Sequence, residues 1–292
     1  MTLAFVAPSS PLRRRLAPIL RWTRRYPAFV VGSLVFSAVV LASIFAPLIA
    51  THDPVAIYPT ERLRPPSDTW LFGSDPFGRD VYSRVIWGGR VSLAVGVGVA
   101  VLATVLGLLI GLIAGFSRAA DAVLMRIMDG VMAIPGILLA IALVAVTRPS
   151  VGTVVVAIAI PEIPRVVRLV RSVVLSAREL PYVDAARSTG TRFPMLLARH
   201  VLPNTIAPLV VQASFVCASA ILSEAYLSFL GLGIPPTIPT WGSVISEGRN
   251  VVQMAFWVVL CPSVFLGATV LSINLIGDGL RDMLDPRLSR SI

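Results

Sequence analysis

Residues 182–204 read YVDAARSTGTRFPMLLARHVLPN, a polar, arginine-bearing stretch set between long apolar runs. It is patterned as two short helices. Pro181 opens the first, because the first helical turn leaves that amide free in any case. Gly190 falls where a left-handed residue closes it. Thr191 is placed to cap the second helix, which passes through Pro194 and is expected to end at Pro203 and Asn204. On that helix Phe193, Leu196, Leu197, His200 and Val201 share one face. An amphipathic helix between membrane spans either lies on lipid or docks into another protein. We read this one as a docking element.

The flanking runs set the class. Of 292 residues, 56% are hydrophobic and 14% charged, and the mean hydropathy is +0.84. That is too apolar for a soluble domain of this length, and runs of about 20 residues suffice to cross a hydrocarbon core as helices. The expected fold class is an all-α polytopic membrane protein. The net charge of +10 is carried by arginine alone, with no lysine in the chain. A nucleic-acid partner does not fit, because the arginines cluster in loops beside the spans, as positively charged cytoplasmic loops do. Cys217 and Cys261 lie inside apolar runs and read as packing residues.

Six spans are expected. A basic cytoplasmic segment (1–27) leads to an uncleaved first span (28–50) and an extracytoplasmic segment (51–90). A core of five spans follows (91–280), and the chain ends in a cytoplasmic tail (281–292). Within the core the spans are placed at 91–115, 122–146, 152–169, 205–230 and 254–277. This arrangement puts 18 of the 25 arginines on one side, giving an N-in, C-in orientation.

Several residues stand out along this frame. In the first outer segment Trp70, Phe72, Phe77, Tyr82 and Trp87 suit a membrane interface, and Val81, Tyr82, Val85 and Ile86 could form one face of an interfacial helix. Asp75, Arg79, Asp80 and Arg84 read as an ion-pair network rather than a catalytic set. Gly107, Gly111 and Gly115 recur every four residues, a spacing that admits a close helix neighbour. Asp129 is expected to snorkel or to pair with Arg126, ahead of a break at Pro135 and Gly136. Pro161 and Pro164 are expected to interrupt the fourth span. Between them, Glu162 either pairs with Arg165 or Arg168 or lines a polar path. Gln212 and Glu224 are further candidates for pore lining.

The sequence has no GxxxxGK[ST] loop, no HExxH and no GxSxG, and no convergent catalytic or metal set is visible. An intramembrane enzyme is therefore not indicated. A secondary transporter or ATP-independent channel remains open on the two prolines of the fourth span, but it leaves the organised polar helix pair unexplained.

These residues resemble a known family. Asp184-Ala185-Ala186, Gly190 four residues on, and Leu202-Pro203 are similar to the EAA loop of the permeases of bacterial ABC importers. FGSDPFGRDVYSR (72–84), GGRVSL (88–93), LMRIMD (124–129), RLVRSVVLS (168–176), LSFLGLG (227–233) and PTWGSVISEGR (239–249) narrow the resemblance. Together they resemble the C-type permease of dipeptide, oligopeptide and nickel importers, over nearly the whole chain after about residue 28. One departure is Asp184, where the family usually has Glu.

The resemblance implies a type I ABC importer permease fold in the bacterial inner membrane. Tyr182, Asp184, Ala185, Ala186, Gly190, Phe193, Leu196, Leu197, His200, Leu202 and Pro203 would form the element that couples to an ATPase. It implies a second homologous permease, two cytoplasmic ATPase domains and an extracytoplasmic binding protein as partners. ATP and Mg would be bound by the ATPases, and this chain would bind no cofactor and no metal. Asp75, Arg79, Asp80, Arg84, Trp241, Glu247 and Arg249, in the two outer segments, are the candidates for contact with the binding protein. Peptide is the expected cargo, with nickel chelates or haem as alternatives.

Overall fold

The computed structural model describes residue 23 and residues 25–284, with the backbone alone at Phe193 and Pro194. Arg13, Arg14, Arg15, Arg21, Arg24, Arg287 and Arg290 lie outside the described residues, as does the side chain of Phe193. The described chain is helical, and its only β pairing is an isolated bridge between Ser74 and Asp80.

The helices run α1 (Pro27–Ile44), α2 (Ala46–Ile49), α3 (Val81–Phe116), α4 (Arg118–Met132), α5 (Gly136–Val146), α6 (Val151–Ala177), α7 (Pro181–Ser188), α8 (Phe193–Leu196), α9 (Leu202–Phe229), α10 (Trp241–Gly248) and α11 (Trp257–Leu284). Four are long and apolar enough to cross a membrane: α1, α3, the run Leu197–Phe229 that contains α9, and α11. α4 and α5 make a fifth if taken together, bent by 85° at their break. That bend follows from Pro135, which has no amide to bond the Val131 carbonyl. α6 is 27 residues long, but it carries Glu162, Arg165, Arg168 and Arg171 and does not qualify on composition.

Two expectations are corrected here. Pro161 and Pro164 do not interrupt the fourth span, and α6 is continuous through both. Each proline removes one amide from the ladder, so only the Ala157 and Ile160 carbonyls lose their partner four residues on, and the bonds on either side persist. Residues 81–86 do not form a separate interfacial helix. They are the first turns of α3, 36 residues long, with Val81, Val85 and Ile86 buried in the bundle. Asp80 starts this helix, accepting from the Ser83 amide at 3.0 Å and from its hydroxyl at 2.6 Å.

α3 and α6 form the most extensive contact in the fold. The expected glycine stripe makes it. Gly107, Gly111 and Gly115 face Val166, Val170 and Val174 in register, and a Cβ added at each glycine would lie 2.5, 2.7 and 2.6 Å from the facing valine Cβ. The two backbones therefore approach as only small residues permit. This pairing fixes the end of α3 beside the end of α6, where the polar 182–204 stretch begins.

Candidate functional site

That stretch is built from local rules. Pro181 occupies the first turn of α7. The helix closes on Gly190, whose φ is +79°. The Gly190 amide bonds the Arg187 carbonyl at 3.0 Å, and the Thr191 amide bonds the Ala186 carbonyl at 3.1 Å. This double closure is the Schellman arrangement, which needs a left-handed residue at the position glycine fills. Among the described residues, nothing beyond its chain neighbours lies within 4 Å of a Cβ built on Gly190.

The second helix departs from expectation at both ends. Among the described contacts Thr191 provides no cap, and Pro203 does not terminate the helix. α8 passes into a π turn over Leu197–Val201 and directly on into α9. The Leu202 amide reaches back to the Leu197 carbonyl, a five-residue step. Proline cannot bond the Arg199 carbonyl, and the π turn absorbs the irregularity. The exposed His200 carbonyl accepts from the Asn204 side chain at 2.8 Å and from the Tyr182 hydroxyl at 3.3 Å. Asn204 in turn donates to the Tyr182 hydroxyl at 2.7 Å. Tyr182, His200 and Asn204 thereby tie α7 to the start of α9.

The continuous helix also changes which face is offered. Leu196 and Val201 are buried, and Leu197, His200 and Leu202 are partly so. The described part of the apolar face read as the docking face packs, wholly or in part, on its own chain. The exposed surface of the stretch includes Tyr182, Asp184, Ala185, Arg187, Gly190, Met195, Arg199 and Pro203, while Ala186 is half covered. Asp184 is 63% exposed, with Arg187 4.0 Å away. Phe116, Arg118, Arg178, Glu179, Asp184 and Arg187 line a cleft of about 550 Å³ between α7 and the junction of α3 with α4.

At the opposite end of α3 lies a buried charge network. Asp75 Oδ2 accepts from Arg79 Nε and from Arg84 Nη1, each at 2.7 Å. Glu247, brought in by α10, pairs with Arg84 at 2.8 Å and also with Arg79. Two positive and two negative groups balance, as burial of ions requires. Arg84 is 1% exposed and Trp241 fully buried. Trp241 donates its ring N–H to the Val85 carbonyl at 2.9 Å, and its amide donates to the Ser92 hydroxyl at 3.3 Å. Asp75, Asp80, Arg84 and Trp241 are thus enclosed in this conformation, and Arg79 shows 11% of its side chain. They knit the segment before α3 to α10. Arg249 is exposed at this end, donating to the Phe229 carbonyl at 3.2 Å, and Glu247 is partly exposed.

The three pore candidates separate. Glu162 is 7% exposed and lines a cavity of about 360 Å³ beside the α4–α5 break, together with Pro135, Pro161, Arg165, Ser219 and Ser223. It accepts from Ser219 at 3.0 Å, and Arg165 Nη1 lies 3.2 Å from both of its oxygens. Gln212 lines a different cavity, of about 410 Å³, with Leu169, Phe215 and Arg281. Glu224 is fully buried between helices, bonded to Ser228 at 2.7 Å and to Ser92 at 3.3 Å, and joins no described cavity. Asp129 pairs with Arg168 at 2.7 Å and not with Arg126. On the same face of the bundle Asp121 pairs with Arg171, so α4 is laced to α6 by salt bridges. Sequence reasoning missed Ser219 and Ser223; their four-residue spacing in an apolar helix was the available signal.

Residues 103–290 match the family described as binding-protein-dependent transport system inner membrane component. Residues 19–66 match the N-terminal TM domain of oligopeptide transport permease C. The chain is 49% identical to a probable peptide ABC transporter permease protein of Sinorhizobium fredii, over 99% of each chain. It is 43% identical to a dipeptide transport system permease protein of Alkalihalophilus pseudofirmus, over 89% of this chain and 86% of that one. It is 42% identical to a di/tripeptide transport system permease protein of Pseudomonas aeruginosa, over 89% of each. With its apolar helices and these matches, the chain belongs to the binding-protein-dependent transport system inner membrane component family, with the N-terminal domain of the C-type oligopeptide permeases.

Proposed function

We propose that this chain is one permease subunit of an ATP-driven importer of small peptides, and that it forms half of the membrane path. A second, homologous permease completes the path. Two cytoplasmic ATPase domains bind ATP and Mg and supply the hydrolysis, so this chain is not itself catalytic. An extracytoplasmic binding protein delivers the cargo. Peptide cargo is favoured over nickel chelates or haem by the relatives that carry peptide or dipeptide in their names.

In this reading the spans are six: α1, α3, the broken pair α4–α5, α6, the run Leu197–Phe229, and α11. α6 is counted because 27 residues extend for about 40 Å, longer than the apolar core of a bilayer. The N- and C-termini are cytoplasmic, on the side where 18 of the 25 arginines gather. The observation that carries the reading is the α7–Gly190–α8 element. It is ordered by its own hydrogen bonds and rooted to α9 by Tyr182 and Asn204, yet its outer surface at Asp184 and Gly190 is open. A surface shaped and unoccupied in this way suits a cleft on an ATPase.

ATP binding draws the two ATPases together and displaces the seated element. Because α8 continues through the π turn into α9, a push on it is carried into that span. Differential binding of the ATPases to the two arrangements of the bundle then sets the population of inward- and outward-facing states. The test is reconstitution of the purified complex in proteoliposomes. Uptake of a labelled dipeptide should require the binding protein outside and ATP on the cytoplasmic face. Uptake indifferent to ATP would refute the proposal.

A further inference from the structure

The cavity beside the α4–α5 break holds a carboxylate that neither the glycine-rich packing nor the docking element uses. Glu162 is nine-tenths buried there, on a continuous α6, and its two oxygens meet only weak partners. One accepts from Ser219 at 3.0 Å, and both lie 3.2 Å from a single Arg165 nitrogen. The Arg165 side chain is 59% exposed, so it can leave without opening the bundle. Ser223 stands one helical turn from Ser219 on the cavity wall. Val131 also lines the wall, and its carbonyl has no amide four residues on because Pro135 is there. A carboxylate and hydroxyls that can accept suit a compact multi-donor cation. An ammonium group offers three donors without a fixed plane. The volume of about 360 Å³ is of ligand size.

We propose that this cavity is a transient substrate subsite in which Glu162 receives the free N-terminal ammonium of a peptide. The incoming ammonium displaces Arg165, and the freed guanidinium is then available to the peptide's C-terminal carboxylate. In the resting chain Arg165 neutralises Glu162, so the carboxylate is never left unpaired inside the membrane. Binding is weak, because a site on a path must release what it takes. This inference rests on the reading of the chain as a peptide permease.

The test uses the complete complex, with Cys217→Ala and Cys261→Ala removing the native thiols and Met132→Cys placing a new one on the cavity wall. First, binding-protein- and ATP-dependent dipeptide uptake is verified for this background. Absence of such uptake in the parent complex would refute the permease reading itself. Then the rate of maleimide alkylation at residue 132 is followed with trialanine and with N-acetyl-trialanine. With a site of roughly millimolar affinity, about 10 mM trialanine should slow alkylation about tenfold. N-acetyl-trialanine should not slow it, and Glu162→Gln should remove the protection by trialanine while binding-protein-stimulated ATP hydrolysis continues. Equal protection by both peptides, no protection by either, or protection that survives Glu162→Gln in a complex that transports would overturn the subsite.

Discussion

Adding a single methyl group at Gly111 tests the contact on which the bundle is built. In Gly111→Ala the new Cβ would lie 2.7 Å from Val170 Cβ, 2.9 Å from Val170 Cγ1 and 3.0 Å from the Val167 carbonyl. Ordinary carbon contacts lie at about 3.5–4.0 Å, so α3 and α6 must part by roughly 1 Å. None of the three atoms can swing aside. One is backbone, one is a Cβ, and the third belongs to a β-branched side chain held to one rotamer on a helix. Overpacking of this kind costs about 1–3 kcal/mol. For a chain of this size that is a fall in melting temperature of roughly 2–10 °C. The assay is thermal unfolding of the detergent-solubilised complex. The structure also predicts which second change repairs the damage. Val170→Ala keeps the Cβ and leaves the 2.7 Å clash, whereas Val170→Gly removes it. Unfolding of Gly111→Ala at the parent temperature, or full rescue by Val170→Ala, would refute the α3–α6 packing described.

Three further outcomes follow from the same geometry. Arg84→Met should destabilise the complex by about 3–5 kcal/mol, because it leaves the buried Asp75 and the partly exposed Glu247 with Arg79 alone. The double variant with Glu247→Gln should recover most of that loss in the same unfolding assay. Gly190→Ala places its Cβ in open space at φ +79°, so it should cost only the roughly 1–2 kcal/mol of a left-handed non-glycine residue and keep uptake measurable. Asn204→Ala removes the closer of the two donors to the His200 carbonyl and the donor that holds Tyr182. It should lower uptake more than it lowers thermal stability, because it loosens α7 from α9 rather than the bundle core.

The sequence made the helical class, the glycine stripe and the left-handed turn at Gly190 legible, because each follows from a local rule: apolar length, four-residue spacing, and a residue without a side chain. It did not disclose which face of the second short helix is free. Periodicity marks Leu196 and Val201 as sharing a face with Leu197 and His200, and it is silent on whether that face meets a partner or the chain's own bundle. Pro203 misled for a related reason. A proline predicts a helix end when the helix is read alone, but a π turn and the Asn204 side chain make a continuous helix possible. Pro161 and Pro164 misled in the same way, since packing of Val166, Val170 and Val174 against the glycines holds α6 through them. The buried network was visible as clustered charge in residues 75–84. Its enclosure was not, because Glu247 arrives from a segment more than 160 residues away.

In the proposed function, residues 181–201 transmit force from an ATPase to the membrane helices. Affinity purification of this chain from mild-detergent membranes, with mass spectrometry of the co-purifying proteins, tests it most directly. The parent chain should bring down a second permease and ATPase subunits. Gly190→Arg, whose side chain enters the open space at the turn, should insert normally and keep the second permease but lose the ATPases and all uptake. Retention of the ATPases and normal uptake by Gly190→Arg, or a parent chain that purifies alone and moves solute without ATP, would contradict it.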